Sequence, residues 1–261
     1  MKIAQISDLH IAAEGKTLGV APMAENLGKV VAHVNGLAPD LVLVSGDITH
    51  DGSAAEVARA AAILADLRAP YYILPGNHDT RAALRQAMPP AALPAPEAGH
   101  LSYALSFPQL RILMLDSTDP DTPNGRICPA RAAWLEAELA ASTTPVVIVM
   151  HHPPLRFGVE ETDKPPLAGA DLLAEVVARH GHIERILCGH IHLFAQALWQ
   201  GCLVCSAPSI GMRLRWCPGT PEESRFLLSP PAYLLHMLNA DGMMITHAFT
   251  LDDPDGPFSF A

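Results

Sequence analysis

Asp8-Leu9-His10, Gly46-Asp47, Gly76-Asn77-His78-Asp79, His151-His152 and Gly189-His190-Ile191-His192 are short polar stretches, each set directly behind an apolar run. Together they supply two carboxylates, an amide oxygen and several imidazoles. A mixed oxygen and nitrogen donor set of this kind suits two neighbouring divalent cations that share a bridging carboxylate. Such a pair acidifies water from a pKa of about 15.7 towards neutrality and clamps phosphoryl oxygens, so the chemistry expected is metal-assisted hydrolysis of phosphoesters.

Each stretch also has an ordinary explanation when taken singly. Asp8 could cap a turn, Asp47 could end a strand, and His151-His152 ahead of Pro153-Pro154 could lie in a rigid loop. Their joint appearance behind five apolar runs is not explained in that way. Ligands bind outside the carboxyl ends of strands in open α/β sheets, so residues distant in the chain can meet at one rim. The pairs Asp8/His10 and His190/His192 are spaced i, i+2 and point to one side wherever strand geometry persists. His50, three residues past Asp47, is expected to line the cleft. His33, His180, His182, His236 and His247 read as surface or satisfied core residues.

The elements that must position these groups alternate along the chain. Strand patterns cover Ile3–Ser7, Leu41–Ser45, Tyr71–Leu74, Arg111–Leu115, Val146–Met150, Arg185–Cys188 and Cys202–Ser206. Each has the length and apolar content of a buried strand. Helical periodicity predicts helices over Ala24–Leu37, Ala54–Leu67, Pro129–Ala141 and Asp171–His180, with Pro129 suited to a first turn. Alternation of this sort implies a largely parallel sheet covered by helices. Tyr233–Asn239 and Met243–Phe249 flank Ala240-Asp241-Gly242, a hairpin signal, and this hairpin is expected to edge a second sheet. Residues 206–232, rich in Pro, Ser and Arg, read as an irregular loop, and Pro89–Pro96 as a connector.

The bulk composition agrees with an enzyme core. The chain has 261 residues, 49% of them hydrophobic and 17% charged, which allows a sizeable buried core. Its net charge of −10 argues against a surface that tracks a nucleic-acid polymer. No secretory leader pattern or membrane-length apolar run is visible, and five scattered cysteines fit reduced thiols, so a cytoplasmic protein without a membrane partner is expected. Cys202-Leu203-Val204-Cys205 has a metal-type spacing but sits in a strand-like run without a second pair, and reads as structural.

The chain resembles the calcineurin-like metallophosphoesterases, with that family's blocks in order from Asp8 to the terminal hairpin. Met150-His151-His152-Pro153-Pro154 and Leu228-Ser229-Pro230 are similar to the bacterial group of class III cyclic nucleotide phosphodiesterases and small glycerophosphodiesterases. The resemblance implies an α/β fold, a four-layer α/β/β/α sandwich with a C-terminal β-hairpin. Residues 1–261 would form one domain, with 206–261 covering the site or an interface. It implies that Asp8, His10 and His192 hold one ion, that Asn77, His151 and His190 hold the other, and that Asp47 bridges them. His78 corresponds to the family's catalytic histidine. Asp51, Asp79 and His152 are expected to orient the ligands from behind. Arg213, Arg215 and Arg225 could touch a phosphate or head group, and Trp216 and Phe157 could stack on a base.

One departure bears on the substrate. The Ser/Thr protein phosphatases carry an Asp-Arg-Gly after the bridging aspartate, whereas this chain reads Asp47-Ile48-Thr49-His50-Asp51-Gly52. Without an arginine there to neutralise a dianion, a singly charged diester is the expected substrate: a cyclic nucleotide such as cyclic AMP, or a glycerophosphodiester. A phosphomonoesterase, a 2′,3′-cyclic nucleotide phosphodiesterase and a metal-binding scaffold without turnover stay open. The ions are expected to be Mn, Fe, Zn or Co, and the assembly a homodimer or higher oligomer.

Overall fold

The computed structural model describes residues 1–16, 21–97, 99–215, 225–252 and 259. From the first residue onward it forms β1 (Lys2–Ile6), α1 (Met23–Leu37), β2 (Leu41–Val44), α2 (Ala54–Leu64), β3 (Tyr71–Ile73) and α3 (Arg81–Ala87). The middle comprises β4 (Tyr103–Ser106), β5 (Arg111–Met114), α4 (Pro129–Ala140), β6 (Val146–Val149), α5 (Glu160–Asp163), α6 (Ala170–Arg179) and β7 (Ile183–Cys188). It closes with β8 (Ala195–Trp199), β9 (Cys202–Ser206), β10 (Met212–Leu214), β11 (Phe226–Leu228), β12 (Ala232–Leu238) and β13 (Met244–Thr250).

The alternation builds two sheets rather than one. The first has the order β13-β12-β1-β2-β3 and the second β4-β5-β6-β7-β9-β8, while β10 and β11 make a separate ribbon. β1, β2 and β3 run parallel, as do β5, β6, β7 and β9; the outer strands β4, β8, β12 and β13 pair antiparallel. Period-two alternation explains the layering. Ile112, Met114, Val147, Val149, Leu187 and Cys205 face the first sheet and share its core with α1, α2 and α3. Leu113, Val146, Ile148, Ile186 and Val204 face the other way, onto α4 and α6. The result is the four-layer α/β/β/α sandwich with a terminal hairpin.

Local signals set the helix starts. Ser53 caps α2 and forms a capping box with Glu56, Thr80 caps α3, and Pro129 opens α4. The terminal hairpin edges one of the two sheets, as expected, with β12 antiparallel beside β1. Four strands escaped the sequence reading because each is short or broken by polar residues. β8 alternates between half-buried and exposed residues at a sheet edge, β4 is short, and β10 and β11 lie within the stretch read as irregular. Pro89–Pro96 is a connector that also serves the sheet, with Ala92 O accepting from Ile73 N at 3.0 Å.

Candidate metal centre

Every predicted donor lies just past the carboxyl end of a strand: Asp8 and His10 after β1, Asp47 after β2, Asn77 and His78 after β3, His151 after β6, and His190 and His192 after β7. The first three strands belong to one sheet and the last two to the other, so the cluster forms where the two sheets meet. The backbone there is bent sharply. Asp8, His10, Asp47, His190 and His192 all have positive φ, between 43° and 71°, and among the described residues only Ala38 and Gln200 join them as non-glycine cases. Non-glycine residues seldom adopt this region, and where they do the surroundings must hold them. Cross-links between neighbouring turns do so: Asp8 N donates to Gly46 O, His10 N to Asp47 O and Gly189 N to His151 O.

The i, i+2 expectation is corrected here. β1 ends at Ile6 and β7 at Cys188, so neither pair lies on a pleated strand. The left-handed turns bring the side chains together instead, and His10 Nε2 stands 3.1 Å from His192 Nε2. Close packing also requires glycine at two points. A Cβ on Gly46 would lie 2.3 Å from His151 Nδ1, and one on Gly76 would lie 2.2 Å from Asp47 Oδ1.

Asp47 sits between two groups of donors. Its Oδ2 lies 3.6 Å from His10 Nε2 and 3.4 Å from His151 Nε2, while its Oδ1 accepts from His78 N at 2.8 Å. On one side, Asp8, His10, Asp47 and His192 each offer an atom, all within 4.8 Å of one another. On the other, Asn77 Oδ1 lies 3.2 Å from His151 Nε2 and 2.9 Å from His190 Nδ1.

Backbone carbonyls orient several of the rings. His151 Nδ1 donates to Ser45 O at 2.8 Å and His192 Nδ1 to Met212 O at 2.7 Å, which turns each Nε2 into the cluster. His78 Nδ1 donates to His50 O at 2.7 Å and likewise frees its Nε2. His152 differs, because both of its nitrogens are engaged, by Ser117 Oγ at 2.8 Å and Pro123 O at 2.9 Å. It packs edge-on against His151 and beside His190 as a neutral ring, its pKa lowered to about 3 by burial and by the charge on His151.

Two expected orienting groups behave otherwise. Asp79 touches no ligand imidazole in the hydrogen bonds of the described residues. Its carboxylate accepts from the backbone of Ile48, Thr49 and Gly76 and from the Thr49 hydroxyl, and so ties the Asp47 turn to the Asn77 turn. Asp51 is half exposed at the rim, 3.8 Å from His50 Nε2 and 3.7 Å from Lys16 Nζ. Turn direction is the reason in both cases: the Asp79 carboxylate is turned onto backbone N–H groups and Asp51 onto the rim, away from the ligand rings.

The electrostatics fit a cation. Asp8 and Asp47 are both buried, yet Asp8 Oδ2 has no hydrogen-bond partner, and neither does His190 Nε2 or His10 Nδ1. Asp8 Oδ1 accepts from His190 N at 3.0 Å, so one oxygen of this buried carboxylate is left without a donor, which is costly unless something positive compensates it. Burial raises Asp8 above the usual carboxylate range despite His192 and His151 nearby. Burial pushes Asp47 the same way, but His151, His10 and His78 together hold it well below that range. His151 would be lowered by burial, yet the Asp47 carboxylate overrides this and pushes it up to about 9. Asp47 and His151 therefore form a buried ion pair whose proton a metal ion can replace.

Other predicted contacts lie at the margin. His50 stacks on His78 with ring centroids 5.6 Å apart, and lines the same opening. Arg213 is exposed on β10 and Arg215 follows that strand, its N donating to Arg225 O at 2.9 Å. Trp216 lies outside the described residues, and Phe157 packs against the second core. Cys202 and Cys205 are free thiols buried in β9. Sequence reasoning missed Ser209, whose hydroxyl donates to Asp8 O at 2.8 Å, and Arg81, which flanks the Asn77 turn. The arginine directly after Asp79-Thr80 was a signal within reach.

Comparison with known proteins agrees with this geometry. The chain is 29% identical to a probable glycerophosphodiester phosphodiesterase of Arcobacter nitrofigilis, over 100% of its own length and 97% of the relative's. It is 31% identical to the 3′,5′-cyclic adenosine monophosphate phosphodiesterase of Escherichia coli, covering 97% of this chain and 90% of that one. In fold it is similar to a dimetal phosphatase of Danio rerio, with a TM-score of 0.69 at 16% identity over 95% of both chains. The description "calcineurin-like phosphoesterase" matches residues 1–194. This protein belongs to the calcineurin-like phosphoesterase family, a family of divalent-metal enzymes.

Proposed function

We infer that the chain hydrolyses small phosphodiesters at two divalent ions, one held by Asp8, His10, Asp47 and His192 and the other by Asp47, Asn77, His151 and His190. The observation that carries this reading is the position of Asp47 Oδ2 between His10 and His151, with an unpartnered Asp8 oxygen beside it. When bound, the ions supply acidified water and charge neutralisation for the phosphoryl oxygens. The mixed donors suit Mn, Fe, Zn or Co.

The remaining work falls to this chain's own residues. His78 has Nδ1 committed to His50 O and Nε2 open towards the site, so the ring protonated on both nitrogens can give its Nε2 proton to the leaving alkoxide and keep Nδ1–H on the carbonyl. Leu9, Ile11, Ile48 and Ile191 are buried around the cluster and exclude water from behind it. His50 stacks on His78, and Arg213 and Arg215 follow Met212, whose carbonyl holds His192, so they are proposed as contacts for the substrate's outer part. Asp79 and His152 hold the turns in place.

A monoanionic diester fits the charge near the site. Lys16 lies beside Asp51, Arg59 donates to Ala12 O and Ala13 O, and Arg81 is paired with Asp116. Two of these three cations already face a carboxylate, and Arg59 alone, held by neutral carbonyls, keeps its charge unmatched, which leaves little to balance a dianionic monoester. The names of the relatives point to glycerophosphodiesters and cyclic nucleotides as the two substrate types. We further propose that residues 1–261 act as one domain, since β12 is built into the first sheet and Ser209 and Met212 reach Asp8 and His192. No helix among the described residues is long and apolar enough to cross a membrane, and the free thiols support a reducing, cytoplasmic setting. Manganese-reconstituted protein should turn over bis(p-nitrophenyl) phosphate faster than p-nitrophenyl phosphate; the reverse preference would overturn the diester reading.

A further inference from the structure

Arg81 opens α3 two residues beyond Asp79, and its guanidinium is held from one side only. Nε donates to Asp116 Oδ2 at 2.6 Å, and Nη2 donates to Asp116 Oδ1, Thr118 O and Thr118 Oγ1 at 3.2, 2.8 and 2.8 Å. Asp116 is fully buried and is itself fixed by Leu101 N and Thr118 N. The fork is therefore rigid, which lowers the entropy lost when it binds something further. Nη1 has no acceptor among the described residues. It is also not sealed in, because the side chain is 26% exposed and lines a cleft of about 620 Å³.

Asn77 lines the same cleft. Its Oδ1 is within 3.2 Å of both His151 and His190, so a molecule with its phosphate at the ligand cluster can extend along Asn77 to Arg81. The charges along that path are matched. Arg81 faces Asp116, Arg126 is paired with Asp119, and Asp121 is an exposed carboxylate at the lip. A second phosphate would meet no uncompensated cation there. No aromatic ring is among the described residues lining the cleft, so a base or a quaternary ammonium group has no face to rest on. What the cleft does offer is the two N–H donors of Nη1, which have no partner among the described residues, and the exposed Asp121 carboxylate among its lining residues.

We propose that Arg81 is a specificity-determining residue that binds the small, uncharged polyol arm of a phosphodiester, glycerol being the simplest member of the class, in the cleft beyond Asn77. The assignment rests on the phosphodiesterase reading above. Hydroxyl oxygens accept from Arg81 Nη1, and hydroxyl protons go to the carboxylates of the lip. A charge-assisted hydrogen bond of this kind is worth about tenfold to a hundredfold in binding.

Glycerol 3-phosphate and propyl phosphate share a phosphate and differ by two hydroxyls, so their ratio isolates the arm. Each is titrated as an inhibitor of bis(p-nitrophenyl) phosphate turnover by the manganese-loaded protein. Glycerol 3-phosphate should bind at least tenfold tighter, and Arg81→Lys, which keeps a charge beside Asp116 but removes Nη1, should reduce that preference to about twofold. Equal inhibition in the wild type, or a preference that survives in Arg81→Lys, overturns the assignment. The wild-type ratio stands even if the variant folds poorly. Absent turnover of every diester would sink the parent reading instead, and calorimetry of the same two phosphates then reads the ratio directly.

Discussion

Two polar groups are buried in this sandwich, and they are built on opposite principles. Between the sheets, Gln5 Nε2 donates to Ser45 Oγ and Cys188 O, Gln5 Oε1 meets His236 Nε2, and His236 Nδ1 meets Thr246 Oγ1. Arg185 extends the chain to Thr246 and Met244 O, although its own Nε is left without a partner. The Gln5 and His236 side chains in this row have each polar atom paired, and they stand on regular strands. At the strand ends the ligand cluster has unpartnered Asp8, His10 and His190 atoms on left-handed turns. Satisfied networks hold a fold together; unsatisfied and strained ones persist where a ligand completes them.

The sharpest way to break this contrast is Asp8→Asn. Turnover of a diester by the manganese-loaded protein should fall on the order of 10³-fold. The metal-free protein should gain about 1–2 kcal/mol in denaturant unfolding, because a buried carboxylate that is only partly compensated has gone. A loss of stability would mean that the cluster is satisfied without a metal. His78→Ala should cost about 10²-fold in kcat with two ions per chain still found by elemental analysis; loss of the ions would make His78 a ligand instead.

The row between the sheets should answer in stability and hardly in rate. Gln5→Leu strands Ser45 Oγ and His236 Nε2 and should cost about 2–3 kcal/mol of unfolding free energy, with turnover of the loaded protein within about threefold of wild type. The most gradual effect is on pH. Burial, together with the Arg185 charge, lowers His236 to about 3. Above about pH 6.5 the imidazole is neutral in folded and unfolded chains alike. As pH falls from there towards 3, only the unfolded chain takes up the proton, so stability declines by at most about 1.4 kcal/mol per pH unit. His236→Gln should flatten that slope; an unchanged slope would place the lost stability elsewhere.

Much of this was readable in the linear chain because each donor follows an apolar run. A strand buried on both faces leaves an unbroken hydrophobic signature, and the first polar residues after Ile6, Val44, Ile73, Val149 and Cys188 then stand out. Edge elements such as β8 and the β10–β11 ribbon left no such signature, since their residues alternate with solvent or lie in a Pro-rich stretch. The roles expected of Asp51 and Asp79 went astray for a related reason. Proximity in sequence to Asp47 and Asn77 says nothing about which way a turn aims the next side chain.

The amino-acid sequence by itself determined the chemistry on offer: two carboxylates, an amide and a set of imidazoles, each tied to the end of a strand by local hydrophobic pattern. Only the tertiary structure decided how those groups meet. The split into two sheets, the left-handed turns at Asp8 and His190, the carbonyls of Ser45 and Met212 behind the rings, and the open nitrogen of Arg81 all depend on contacts between residues far apart in the chain. Short-range pattern reports which residues are buried; direction and distance are set by packing, and packing is a property of the whole fold.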